Sequence, residues 1–148
     1  MLQKIKNIYF YNNPILKKFS NTEFLVNIGY PKNFLKKLPK NIIENSFPVV
    51  FPFNDINLKN KKILDLGCGI GLDSAYAIHM NAKFVVGIDI SFSLLKNAIY
   101  FSKINANIEQ IPIKEKKFFD IILFNGSFNQ IIKKYSLLNL IFNFLNIN

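Results

Sequence analysis

The stretch ILDLGCGIGLDS, residues 63–74, places three glycines at alternate positions directly after an apolar run and between two acidic residues. A run of that length reads as a short buried strand, and LDSAYAIHMN after it reads as a helix, with Leu72, Ala75, Tyr76 and His79 on one stripe. A glycine-rich turn between strand and helix lets a ligand approach the backbone, because glycine lacks a Cβ and tolerates positive φ. The helix start adds unpaired N–H groups. The spacing narrows the ligand: a G-x-G-x-x-G frame begun at Gly67 puts Leu72 at the third glycine position, and no Lys follows Gly71. Both the dinucleotide fingerprint and the phosphate-binding loop therefore fail. Asp65, at the end of the strand, would repel a pyrophosphate but suits an ammonium or sulfonium group.

A second acid fits the same ligand. Asp89 ends the next strand pattern, KFVVGID, and stands about 20 residues beyond the first glycine, the spacing at which a carboxylate accepts from ribose hydroxyls. The expected ligand thus carries a ribose and a positive charge but no phosphates.

Around this unit, apolar runs of strand length alternate with helical patterns from Lys61 onward, which predicts a parallel α/β sheet. SFSLLKNAI reads as a helix with Ser91 as N-cap, YFSKIN as a third strand, FFDIILFNG as a fourth, and YSLLNLIFNFLNI as a closing helix. The expected strand order is 3-2-1-4. Residues 1–60 read as a mostly helical and extended covering segment, punctuated by Pro14, Pro31, Pro39, Pro48 and Pro52; residues 61–148 read as the ligand-binding domain. Phe34, Leu35 and Leu38 share a helical face ahead of Pro39. His79, Phe118 and Phe119 read as packing groups.

Composition limits the alternatives. With 148 residues, half of them hydrophobic, the chain suffices for one ordinary domain. No apolar run has the roughly 20 residues of a membrane span, and the first residues lack a signal peptide's apolar stretch, so the expectation is a cytoplasmic protein with no membrane partner. A single cysteine, Cys68, precludes an internal disulfide and any multi-cysteine metal site; no metal is expected. The net charge of +10 comes entirely from lysines, with no arginine to supply the bidentate fork used on phosphates and guanine edges. A solvated lysine surface is favoured over nucleic-acid binding, and a basic RNA-associated protein is the weaker alternative.

Taken in order, the motifs resemble those of class I S-adenosylmethionine-dependent methyltransferases. ILDLGCGIG is similar to their first motif, VGIDIS to the second, and NIEQIPI and FFDIILFNGSFNQI to the third- and fourth-strand motifs. GYPKNFLKKLPKNIIENSFPVVFPF is similar to the segment that arsenite-methyltransferase-like proteins carry before the first motif, although a lone Cys68 inside the loop cannot hold arsenic as their cysteine set does. The resemblance implies a Rossmann-like fold, incomplete at its C-terminal end, that transfers the sulfonium methyl of S-adenosylmethionine to a small molecule. A C-terminally truncated relative with weak or no turnover is the alternative.

Residue by residue, the resemblance implies that Gly67, Cys68, Gly69 and Gly71 pass under the methionine part of the cofactor, with Asp65 ordering the loop and helping to hold the amino group. It gives Asp89 the ribose, Ile90 and Ile108 the two faces of the adenine, and Asn107 the adenine amino group. Asn125 and Gly126 would lie near the methyl. It assigns no catalytic residue, since in-line methyl transfer needs chiefly alignment and a dry site. Because the family's sheet continues past the fourth strand, the outer side of that strand is expected to present unpaired backbone groups and to invite a homodimer through this edge.

Overall fold

The computed structural model describes residues 22–46, 50–125, 127 and 134–146. Residues 1–21, Pro48, Gly126 and Ile147, which entered the expectations above, lie outside the described residues. Among the described residues, three short helices come first, α1 (Thr22–Asn27), α2 (Lys32–Leu35) and α3 (Lys40–Asn45), followed by β1 (Lys62–Leu66), α4 (Leu72–His79), β2 (Phe84–Asp89), α5 (Phe92–Asn97), β3 (Ser102–Asn105), β4 (Ile121–Leu123) and α6 (Lys134–Phe142). Pro31 and Pro39 occupy the N-cap positions of α2 and α3, where a missing N–H costs nothing and a fixed φ suits the first turn.

The four strands are parallel in the order β3-β2-β1-β4, as the sequence predicts. β1 lies inside the sheet, with Asp65 opposite Gly87 on one side and Leu123 on the other. Its apolar run contains almost no polar residue because both faces are covered. Ile63 packs with Val85, Ala75, Tyr76 and the covering segment, whereas Leu64 and Leu66 pack with Ile88, Phe119, Leu137 and Ile141. Strand alternation thus divides the core into two layers on opposite sides of one sheet.

The covering segment shares the first layer. Leu25, Tyr30, Phe34, Leu35, Ile42, Phe53 and Leu58 are buried in one cluster with Ile63 and Tyr76. Tyr76 meets Phe34, Phe51 and Phe53 at ring-centroid separations of 5.1, 5.3 and 4.8 Å, within the range of favourable aromatic pairs. His79 stacks beside Phe34 at 5.2 Å, in keeping with a packing role. Truncating Phe34 to alanine would cost about 3–5 kcal/mol and loosen the covering segment from α4.

Several boundaries differ from the sequence reading, each for a local reason. The third strand begins at Ser102 and not at Tyr100, because Tyr100 has φ +77°, a left-handed conformation that cannot continue a ladder. Ser91 stands at the N-cap of α5, yet its hydroxyl meets Ser93 Oγ at 3.0 Å and makes no cap bond. The closing helix stops at Phe142, and the chain then turns back.

That return pairs with the approach to β4 and, among the described residues, leaves β4 itself at the edge of the sheet, as expected. The Asn146 N–H donates to Phe119 O at 2.8 Å, the Phe119 N–H donates to Phe144 O at 3.0 Å, and Leu145 forms a parallel bridge with Phe119. The segment after α6 therefore pairs with the approach to β4. The sequence reading missed this because two or three residues of pairing leave no periodic signal.

Candidate active site

The site lies at the carboxyl ends of β1 and β2, beside the point where strand order reverses between β1 and β4, the place where open α/β sheets bind ligands. The Gly67 and Cys68 N–H groups both donate to Ile88 O, at 2.8 and 3.1 Å, which fastens the loop to β2. The Gly71 N–H closes the turn on Cys68 O at 2.8 Å. The loop is thus held by its own backbone before any ligand arrives.

Asp89 joins loop and strand. Its Oδ2 accepts from the Gly69 N–H at 2.8 Å and its Oδ1 from the Ser91 N–H at 2.7 Å. A carboxylate has about four lone-pair sites, so both oxygens keep capacity for a vicinal diol. Burial raises the Asp89 pKa, while the N–H groups of Ser91, Gly69 and Ile90 oppose the rise. Ile90 follows with 44% of its surface exposed, an apolar platform next to the carboxylate. The Asn105 amide clamps this corner, donating to the carbonyls of Asp89 and Ile90 at 3.0 and 3.1 Å; sequence reading gave Asn105 no role.

The three glycines are not equivalent. All have positive φ, but only Gly69 faces open space, with Leu94 Cδ1 3.9 Å from where a Cβ would stand. A Cβ on Gly71 would enter the Phe101 ring, and one on Gly67 would overlap Ser127, whose hydroxyl donates to Leu66 O at 2.9 Å. Gly69 is therefore the position where a ligand can lie on bare backbone. Gly71 serves the packing of Phe101, which also covers Gly87.

Asp65 is only 2% exposed and accepts from Ser74 Oγ at 2.6 Å. Burial, and then the neighbouring Asp73, push its pKa up to about 8. Asp73 accepts from the Tyr30 hydroxyl and, at 3.0 Å, from the Asn125 amide. Its pKa is raised by burial, against the lowering effect of those two donors. Burial likewise drives Cys68 far up, so its thiol stays protonated and is no nucleophile. Among the described residues the one ion pair is Lys40–Glu44, and no described lysine pairs with Asp65, Asp73 or Asp89. A ligand with an ammonium and a sulfonium group fits that acidic end, and a phosphate does not.

The remaining expected residues are more dispersed. Asn107 uses its Oδ1 to accept from the Glu109 N–H at 2.9 Å and is exposed in a turn. Ile108 is buried in the second core layer with Leu64 and Ile88. Asn125 turns toward the covering segment, donating to Val50 O at 2.8 Å as well as to Asp73. Sequence reading missed Asp73, Tyr30, Ser74 and Ser127 as members of this region. Asp73 carried a visible signal, being the second acid that flanks the glycines. Tyr30 is 43 residues from its partner and carried none.

Comparison with known proteins agrees with this fold. Residues 57–148 match a family described as "Methyltransferase domain". The ribosomal protein L11 methyltransferase of Shewanella baltica is 36% identical over 61 residues, 41% of this chain and 20% of its own length. Protein arginine N-methyltransferase 1 of Saccharomyces cerevisiae is 35% identical over 65 residues, 44% of this chain and 18% of its own. The chain thus spans a minor part of the length of these relatives. An arsenic (III) S-adenosylmethionine methyltransferase from Chlamydomonas reinhardtii shares the fold, with a TM-score of 0.67 at 21% identity over 77% of this chain and 44% of that one.

Proposed function

The chain belongs to the methyltransferase-domain family, and on that premise we propose that it binds S-adenosylmethionine at the carboxyl end of its sheet and transfers the methyl group to a small-molecule acceptor. The observation that carries this reading is Asp89, fixed by Gly69 and Ser91 with lone pairs to spare, beside the bare backbone of Gly69.

S-adenosylmethionine, when bound, would supply an electrophilic methyl on sulfur for transfer to the acceptor. The chain's own residues bind and orient. Asp89 accepts the ribose hydroxyls, Ile90 gives the adenine an apolar surface, and the loop at Gly69 lets the methionine part lie close. Asp65 and Asp73 face the ammonium group, whose positive charge favours their ionised forms against the burial that holds them protonated in the ligand-free protein. No residue is assigned as a general base, since alignment and exclusion of water supply most of what such a displacement needs.

The small-molecule acceptor is proposed because the covering segment lies next to the site, with Tyr30 bonded to Asp73 and the Val50 carbonyl bonded to Asn125. A second reading, cofactor binding with little turnover, is favoured by Asn125, whose amide is committed to Val50 and Asp73. Incubation with methyl-tritiated S-adenosylmethionine and a bacterial extract, followed by acid precipitation and ribonuclease treatment, tests the proposal. Label in the acid-soluble small-molecule fraction supports it; label confined to protein or RNA overturns the choice of acceptor, and no label with intact cofactor binding supports the second reading. Among the described residues no helix is long and apolar enough to cross a membrane.

A further inference from the structure

Three chain segments meet at one side chain. Asp73, in the first turn of α4, accepts from the hydroxyl of Tyr30, which lies between α1 and α2, and from the amide of Asn125, just past β4. The same Asn125 amide donates to Val50 O in the covering segment. Tyr30 is 1% exposed, and its ring packs edge-on against Phe51 at 4.9 Å and Tyr76 at 6.0 Å. The hydroxyl is therefore aimed at Asp73 by packing on its ring, and the bond crosses from the covering segment to the helix that springs from the glycine loop.

We propose that Asp73 is a positioning residue that clasps the covering segment, through Tyr30, to the glycine-loop helix and the end of β4, so that closure of this segment and binding of the cofactor favour each other. This deepens the function proposed above and rests on it. Asp73 stands two residues after Gly71, and Asn125 lies two residues past the end of β4, whose Leu123 pairs with Asp65 of β1. A ligand lying on Gly69 orders both of the groups that receive the covering segment, which lowers the cost of docking it. Coupling of this kind is reciprocal: whatever the docked segment adds to cofactor affinity, bound cofactor adds to docking. Removal of one hydroxyl should then weaken binding at a distance from the ligand.

The test uses the full chain and S-adenosylhomocysteine as probe. In the unsubstituted protein, saturating ligand should slow exchange of the Ile28, Gly29 and Tyr30 amides, which donate to Phe24, Val26 and Leu25 within the covering segment. Tyr30→Phe keeps the packed ring and should raise the dissociation constant by about 5- to 10-fold, within the range of ordinary coupling between sites. It should also abolish the ligand-dependent slowing, with the melting temperature of the free protein little changed. Asp73→Asn, which still offers the Tyr30 hydroxyl an acceptor, should keep the ligand-dependent slowing even though loss of its charge weakens binding. Equal affinity in the Tyr30→Phe and unsubstituted proteins, or exchange in the covering segment that ignores the ligand, would overturn the clasp while leaving the functional reading in place. Failure of the unsubstituted protein to bind the probe would remove both.

Discussion

The Gly69 N–H donates to Asp89 Oδ2 at 2.8 Å, which ties the open position of the glycine loop to the carboxylate that ends the next strand. In the function proposed here, that bond sets the distance between the surface offered to the methionine half of the ligand and the acceptor offered to its ribose, so each position can be tested by its own substitution.

Gly69→Ala and Gly71→Ala should fail in different ways. At Gly69, φ is +55° and the added methyl meets nothing closer than 3.9 Å, so the stability loss should be limited to the left-handed backbone, about 1–2 kcal/mol, while affinity for S-adenosylhomocysteine falls sharply. At Gly71 the methyl enters the Phe101 ring, adding about 1–3 kcal/mol of overpacking to a similar backbone cost. Thermal melts beside calorimetry should show Gly69→Ala as chiefly a binding defect and Gly71→Ala as chiefly a folding defect, partly rescued by Phe101→Leu. Equal loss of stability in both would contradict the division of roles.

Stability of the ligand-free protein should depend on pH through its buried acids. The pKa of Asp65 rises from 3.8 to about 8 on folding, chiefly by burial, and Asp73 and Asp89 move in the same direction. Between those values the folded state holds a proton that the unfolded state has released, so this contribution to stability is complete below about pH 4 and is lost as pH rises toward 8. The melting temperature should be higher at pH 5.5 than at pH 8.5. In Asp65→Asn, which can still accept from Ser74, the difference should shrink; an unchanged pH dependence in that variant would show that Asp65 stays ionised.

Much of this was legible in the sequence because it is local. The strand-glycine-helix unit, Asp65 and Asp89 follow from spacing and periodicity, while the order 3-2-1-4 comes with the family resemblance and the ligand-binding rule for open α/β sheets; the structure has them so. What was not legible depends on contacts between distant segments. The ring of Phe101 fills the space at Gly71, Asn125 faces Val50, and the segment after α6 returns to Phe119. None of these leaves a mark in local pattern. Phe101 was read as part of a strand because an aromatic residue next to alternating polar ones looks like one, and only the φ of Tyr100 reveals the break.

The homodimer expected through the edge of β4 has only a short ladder to pair with. Leu145 already bridges Phe119, and β4 itself is three residues long, the kind of short edge that resists further addition. We therefore expect any dimer through this edge to be weak. Light scattering across a concentration series should return a mass near 17.1 kDa at low micromolar protein. A dimer at all concentrations, with slowed exchange at Ile121 and Leu123, would restore the edge-pairing proposal.

Calorimetric titration of the full chain and of Asp89→Ala with S-adenosylhomocysteine, each at low and high salt, tests the central claim most directly. The unsubstituted protein should bind one equivalent with little dependence on salt. Asp89→Ala should stay folded and lose about 1.5–3 kcal/mol of affinity, the range for hydrogen bonds to a charged group. Equal affinity in a folded Asp89→Ala protein, or no binding by the unsubstituted chain, would contradict the assignment of this end of the sheet as the cofactor site.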